Sequence, residues 1–115
     1  MAKINSIQFR DNFQYFDKEI VLEIINIFID EHSARINTIS DSIKANDYDG
    51  IKFNCHSIKG VIANFCAPEV EEQAKKLELM GTNQNTEGIG DLFEDFKVSS
   101  SQMVDELEVM KLEYT

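Results

Sequence analysis

Proline and glycine are scarce in this sequence, which has one proline and five glycines among its 115 residues. Domains rich in β-strands ordinarily need more of these residues at their turns, so the scarcity favours helices. Long apolar runs are missing as well. The longest apolar cluster, residues 24–29, is interrupted by Asn26 and is far shorter than the roughly 18 residues of a membrane-spanning helix. We therefore expect no segment that crosses a membrane.

Positive charge is also in short supply. The chain has 11 lysines and arginines against 21 aspartates and glutamates, which gives a formal net charge of −10 at pH 7. A surface this acidic repels the phosphates of nucleic acids and of anionic membranes, so we expect neither nucleic-acid binding nor direct membrane contact. The charge alone names no partner, because many helical domains are acidic.

Cysteine is limited to Cys55 and Cys66. If both lie on one helix, their separation corresponds to about 16 Å, whereas a disulfide allows about 7 Å between Cα atoms. We predict two reduced cysteines and a cytoplasmic protein without a signal peptide. The histidines, His32 and His56, have no paired ligand spacing with these cysteines, so no metal site is expected.

Hydrophobic residues make up 43% of the chain, which is enough for a single domain with a real core over residues 1–115. In four segments the apolar residues recur at steps of three and four, the spacing of one helix face. The predicted helices span residues 18–44, 48–65, 68–81 and 90–112. They predict an all-α fold, an antiparallel four-helix bundle over residues 17–115, preceded by a short helix or arm over residues 1–16.

Several residues mark the predicted helix ends. Asp17 and Asp47 can cap the first and second helices, and Pro68 suits the first position of the third. Gly81 is expected to end the third helix. Three serines, residues 99–101, are expected to weaken the middle of the fourth helix.

Three other side chains need an interpretation. His32 fills a gap in the apolar stripe of the first helix, so we interpret it as a partly buried structural residue. Phe13 and Ile20 allow two interpretations, burial in the core or membership of an apolar patch that receives a partner.

The second helix has a regular core stripe and a distinct outward face. The stripe consists of Ile51, Cys55, Ile58, Ile62 and Phe65. His56 lies one position past Cys55, about 100° around the helix axis from the stripe. Lys59, Gly60 and Ala63 follow on the face of His56, and Lys52 lies one turn before it. Glycine inside a helix costs about 1 kcal/mol relative to alanine, so Gly60 calls for an explanation.

These residue types suit a histidine that carries a phosphoryl group. A neutral imidazole offers a nucleophilic nitrogen at pH 7, and an ammonium group one turn away can compensate the charge of a phosphoryl group. Gly60 and Ala63 remove bulk, so a partner's active site could close over His56. A lone histidine is more often structural, and a lone glycine more often accommodates packing. The joint pattern on one face favours function.

The run HSIKG, residues 56–60, resembles the H-x-x-K-G signature of histidine-containing phosphotransfer (HPt) domains. In that family the signature lies on the second helix of a four-helix bundle. The third-helix sequence PEVEEQAKKLELMG is also similar to the family's, and the likeness extends from Asp17 to the last helix. One departure is Cys66, where a helix-ending glycine is common. It leaves the shape of the turn after the second helix open.

The resemblance implies a phosphoryl carrier. His56 would accept the group on Nε2 from the aspartate of a response-regulator receiver domain and pass it to another receiver, with Lys59 as the phosphate-facing cation. Residues implied to border the docking surface are Gly60, Ala63, Asn64, Lys52 and Glu78. Glu78 lies near a position where the family often has glutamine. A carboxylate there would be repelled by phosphohistidine unless it points away, so Glu78 is predicted to be a weak neighbour only.

The same resemblance implies a protein that is not an enzyme in its own right. The sequence has no nucleotide-binding glycine loop, so no ATP-dependent kinase activity and no cofactor of its own are expected. The receiver would supply Mg²⁺. We expect a monomer, either free or part of a hybrid sensor kinase. The alternative is a non-catalytic helical adaptor that binds receiver domains or other signalling proteins, although such a relative would be expected to lose His56.

Overall fold

A computed structural model describes all 115 residues of the chain. Its α-helices are α1 (Ser6–Asn12), α2 (Lys18–Lys44), α3 (Tyr48–Ala63), α4 (Pro68–Thr82) and α5 (Ile89–Met110), followed by a 3₁₀ turn over Lys111–Tyr114. Helices α2 to α5 pack as a four-helix bundle, and α3 and α4 make the most extensive contact. The predicted all-α bundle with a short N-terminal helix is confirmed. None of the helices combines the length and the apolar character that a membrane crossing would require.

Every end of the four long helices lies within two residues of its predicted position, and the predicted caps differ in their contacts. The side chain of Asp47 accepts a hydrogen bond from the backbone N of Gly50 and caps α3 as predicted. Asp17 occupies the position before α2, but its side chain makes no capping hydrogen bond. Helix α3 ends at Ala63 rather than Phe65, because the backbone N–H groups of Asn64 and Phe65 donate to carbonyls three residues back and tighten the last turn.

Gly81 does not end α4, contrary to the sequence-based prediction. Gly81 is a buried residue of the last turn of α4, and the helix continues to Thr82. A Cβ atom at this position would lie 2.7 Å from the backbone N of Lys52 and 2.9 Å from the backbone O of Tyr48, both on α3. Gly81 is therefore the point at which the backbones of α3 and α4 approach each other closely.

The core lies between the four long helices. All five residues of the predicted α3 stripe are fully buried. The phenyl ring of Phe65 lies against that of Phe28 from α2, at 5.2 Å between centroids, and against that of Phe9 from α1, at 6.0 Å. Of the two residues with open interpretations, Ile20 is 44% exposed, whereas Phe13 is partly buried against the core.

The N-terminal segment is attached to the bundle by backbone hydrogen bonds as well as by burial. The carboxylate of Glu106 on α5 accepts hydrogen bonds from the backbone N–H groups of Lys3 and Ile4, at 2.8 and 2.9 Å. The backbone N–H of Asn5 donates to the carbonyl of Cys66 at 2.8 Å. These contacts hold α1 over the end of the bundle where α3 turns into α4.

Cys66 takes the backbone conformation that glycine would favour. Its φ angle is +59°, in the left-handed region that costs most residues about 1 kcal/mol or more. The side chain is buried, and the side-chain amide of Asn12 donates to Sγ at 3.2 Å. The turn after α3 thus keeps a glycine-like geometry although the residue is cysteine. Both cysteines are free thiols.

Helix α5 is continuous across the three serines that were predicted to weaken its middle. Ser99 and Ser100 are buried, and the hydroxyl of Ser100 donates to the carbonyl of Lys97 at 3.3 Å. Nε2 of His32 on α2 lies 2.9 Å from the same hydroxyl. Burial lowers the pKa of His32. His32 is therefore a partly buried residue that joins α2 to α5, as its place in the apolar stripe predicts.

Candidate functional site

The outward face of α3 carries the predicted site. The imidazole of His56 is 68% exposed, while Cys55, one position earlier, is fully buried. Four residues predicted to border the docking surface are exposed around it: Lys52, Gly60, Ala63 and Asn64. The outward face of α3 is therefore open to solvent at these positions.

Glu78 on α4 contacts the histidine directly. Its Oε2 lies 2.9 Å from Nδ1 of His56, and its Oε1 accepts a hydrogen bond of 2.6 Å from Nζ of Lys59. The carboxylate is only 15% exposed. Sequence reasoning predicted Glu78 to be a weak neighbour, but the structure places it between the two principal residues of the site.

This arrangement decides which nitrogen of His56 carries the hydrogen. Burial alone would raise the pKa of Glu78, but the hydrogen bonds from Lys59 and His56 outweigh it, so the pKa of this carboxyl lies below its ordinary value. The carboxylate is ionised at pH 7 and can only accept hydrogen bonds. Nδ1 of His56 therefore donates, and the lone pair of the neutral ring is on Nε2.

Nε2 of His56 is the free nucleophile of the site. It makes no hydrogen bond within the chain, and the ring that bears it is mostly exposed. An adjacent group that fixes the tautomer of an imidazole also fixes the direction of its reactive lone pair. The geometry thus presents one ring nitrogen to an incoming electrophile and holds the other.

Lys59 is in contact with Glu78 rather than pointing freely into solvent. Its side chain is 25% exposed, and its ammonium group compensates the carboxylate charge. A phosphoryl group on His56 would add a second anion within one helical turn of Lys59. The role predicted for Lys59 as the cation that faces phosphate stays a prediction.

Gly60 has no packing partner. A Cβ atom at this position would meet no atom within 4 Å outside the helix itself. The backbone is helical there and needs no positive φ angle. Neither close packing nor backbone conformation within this chain explains the glycine, and its predicted docking role stays a prediction.

An open depression of about 470 Å³ adjoins the histidine, lined by Asp49, Lys52, Phe53, His56 and Glu78. Phe53 is 73% exposed, which is unusual for a large aromatic side chain. Asp49 was not predicted to belong to the site, although it lies seven residues before His56 and so on the same helix face. No group of three or more histidine, cysteine, aspartate or glutamate side chains is arranged to hold a metal ion.

The chain is similar to known proteins in both sequence and structure. Residues 23–111 match the sequence model of the Hpt domain family. No curated protein sequence matches the chain. Among solved structures, the chain is similar to the crystal structure of histidine-containing phosphotransfer protein B (HptB) from Pseudomonas aeruginosa PAO1. The TM-score is 0.89 at 14% sequence identity, over 98% of this chain and 97% of that one. At this identity the structural likeness bears on the fold.

Proposed function

Because the chain belongs to the Hpt domain family, we propose that it carries a phosphoryl group on Nε2 of His56 and passes it between receiver domains. The single observation that supports this most strongly is the contact between Glu78 and Nδ1 of His56. It leaves Nε2 as an exposed nucleophile on the face predicted for docking. A structural histidine would not need a free reactive nitrogen.

The proposed reaction is an in-line transfer. Nε2 of His56 attacks the phosphorus of an aspartyl phosphate on the receiver, and the bond between phosphorus and the aspartate oxygen breaks. The electron pair of that bond returns to the aspartate carboxylate. Mg²⁺ bound by the receiver would stabilise the charge on the transferring group, with Lys59 as a nearby cation. A second receiver reverses these steps.

The docking surface proposed for the receiver is the outward face of α3. Gly60 leaves open space beside the histidine, and Ala63 and Asn64 are small and exposed one turn further on. Lys52 and Phe53 border the other side of His56. A flat surface of small residues allows a partner's active site to approach an imidazole that extends only a few ångströms from its own helix.

We propose a phosphoryl carrier without ATP-dependent kinase activity and without a cofactor of its own. Its partners would be response-regulator receiver domains, and it would act as a monomer in the cytoplasm. It would be a free protein or one domain of a hybrid sensor kinase. Since receiver domains catalyse the transfer, the carrier needs only a correctly oriented nucleophile and an accessible surface.

The decisive experiment is incubation of the purified protein with a phosphorylated receiver domain. We expect acid-labile phosphate on the wild type and none on His56→Gln. The chain has two histidines, so His32→Gln is the matched control and should still accept phosphate. If His56→Gln is labelled as well as the wild type, the proposal is wrong. Binding of the receiver without any labelling of the wild type would favour the adaptor function instead.

A further inference from the structure

The hydrogen-bond partner of Nδ1 in His56 is the carboxylate of Glu78. The amide of a glutamine at this position would behave differently. An amide has both a donor and an acceptor and can pair with Nδ1 whether or not that nitrogen carries a hydrogen. An ionised carboxylate only accepts, so the contact of 2.9 Å between Nδ1 and Glu78 requires a hydrogen on Nδ1. The same contact would require a hydrogen on Nδ1 after Nε2 has been phosphorylated.

We propose that Glu78 keeps the phosphorylated ring of His56 protonated on Nδ1, and thereby holds the phosphoryl group on a ring that releases it readily. The proposal rests on the phosphoryl-carrier function and adds a property of the phosphorylated state. It makes Glu78 a positioning residue that acts through the imidazole, since its carboxylate contacts the ring and not the transferring phosphorus.

The proton balance of the reaction shows why this matters. In the neutral ring, Nδ1 carries the hydrogen and Nε2 the lone pair. When Nε2 bonds to phosphorus, the ring becomes a cation that still holds the hydrogen on Nδ1. When a second aspartate attacks the phosphorus, the electrons of the N–P bond return to Nε2 and regenerate the neutral ring. With Glu78 in contact, no proton has to leave or return in either direction.

Loss of that proton would make the phosphoryl group harder to release. From a protonated ring the leaving group is neutral imidazole, whereas from a deprotonated ring it is an imidazolate anion, a much poorer leaving group. Deprotonation would also direct the lone pair of Nδ1 at the carboxylate of Glu78, which has no hydrogen to donate. Glu78 therefore favours the more reactive of the two phosphorylated forms.

The other charges near the ring do not replace this contact. Asp49, Lys52 and Lys59 face the site from α3, and Glu78 faces it from α4. Lys59 occupies Oε1 of Glu78 at 2.6 Å and leaves Oε2 to the ring. Of these groups, Glu78 alone makes a hydrogen bond to the imidazole, and its low exposure reduces the screening of that contact by solvent.

The test uses protein labelled by phosphoramidate, a small-molecule donor, so that no receiver is needed. We would measure the ¹⁵N shifts of the phosphorylated ring against pH, and the half-life of the phosphohistidine by ³¹P NMR. In Glu78→Gln we expect the midpoint of Nδ1 titration to fall by about one pH unit. Above both midpoints the half-life should then lengthen by about tenfold, because one unit changes the protonated fraction tenfold.

Glu72→Gln is the matched control, since it removes the same charge from an exposed position of the same helix. It should leave the midpoint and the half-life unchanged. Equal midpoints in wild type and Glu78→Gln would overturn the proposal. So would a longer half-life without a shift of the midpoint, because simple charge repulsion would then explain it.

The wild type alone provides a second check that does not depend on a variant folding. Its phosphorylated ring should show a protonated Nδ1 at pH 7, and a deprotonated ring at that pH would refute the proposal. Failure of the carrier function looks different. A protein that is labelled by phosphoramidate but never by a phosphorylated receiver would contradict the proposed function, whatever the state of its ring.

Discussion

Gly60 on α3 and Gly81 on α4 lie in opposite surroundings, although both are helical glycines. A Cβ atom at Gly81 would collide with the backbone of the neighbouring helix, while one at Gly60 would meet nothing. The same contrast separates His32, which bonds to Ser100 inside the bundle, from His56, whose Nε2 is free. In the interior, Gly81 and His32 are both explained by contacts with a neighbouring helix. On the outward face of α3, neither Gly60 nor Nε2 of His56 has such a neighbour within the chain.

The strongest test of this contrast is Gly81→Ala. The added methyl group would lie within 3 Å of two backbone atoms of α3, and backbone atoms cannot move aside as a flexible side chain can. We expect the free energy of unfolding to fall by about 1–3 kcal/mol, the usual range for an overpacked core. Urea denaturation monitored by circular dichroism measures it.

The same substitution should also disturb the site from a distance. Glu78 lies one turn before Gly81 on α4, so separation of α3 and α4 would lengthen its contact with His56. If Gly81→Ala is as stable as the wild type, the helices are not in the close contact described here, and the orientation of the imidazole needs another cause.

The opposite test is substitution of Gly60. Gly60→Ala should stabilise the protein by about 0.5–1 kcal/mol, because alanine is the better helix former and nothing obstructs its methyl group. Gly60→Gln should fold equally well, yet slow transfer from a phosphorylated receiver by about tenfold or more, since small displacements of reacting groups are costly. Denaturation and single-turnover transfer measure the two effects.

Gly60→Ala is the control for Gly60→Gln, since it shares the loss of glycine but adds little bulk. Transfer at the wild-type rate by Gly60→Gln would show that the open space beside His56 does not serve docking. A loss of stability in Gly60→Ala would reveal a packing role that the structure does not contain.

Substitution of Cys66 tests the backbone conformation of the turn after α3, with a smaller expected effect. The Cys66 φ angle of +59° suits glycine better than any residue with a Cβ atom, so Cys66→Ala should be less stable than Cys66→Gly by about 1 kcal/mol. Both variants lose the sulfur contact with Asn12, so their difference isolates the backbone. Equal stabilities would mean that the turn after α3 does not adopt the left-handed conformation.

The smallest expected effect is a pH dependence that originates at His32. Burial lowers its pKa in the folded protein, so below its ordinary value of about 6.5 the unfolded chain binds more protons than the folded one. Stability should therefore fall as the pH decreases from 8 to 5.5. Urea midpoints at the two pH values should differ less in His32→Gln than in the wild type. An unchanged difference would remove His32 as the cause.

Much of the fold could be predicted from the spacing of apolar residues. The α3 stripe was predicted in full because a helix with one buried face repeats every three or four residues, and the cap at Asp47 depends only on residues three positions apart. The errors at Asp17 and Phe65 concern the exact ends of helices, whereas the error at Gly81 concerns a contact between helices. The glycine at 81 looks like the end of a helix in the linear sequence, but it is the point at which the backbones of α3 and α4 approach each other closely.

In the candidate site, too, some features follow from local sequence spacing and others only from the packing of helices. That His56, Lys59 and Gly60 share an outward face follows from local helix geometry, which sequence spacing specifies. That Nδ1 of His56 is bonded and Nε2 is free does not follow from it, because Glu78 is 22 positions away along the chain. The two residues meet only where α3 and α4 pack together around Gly81. The residue types and their helix face are properties of the local sequence, whereas the tautomer of the histidine depends on the distance between two helices.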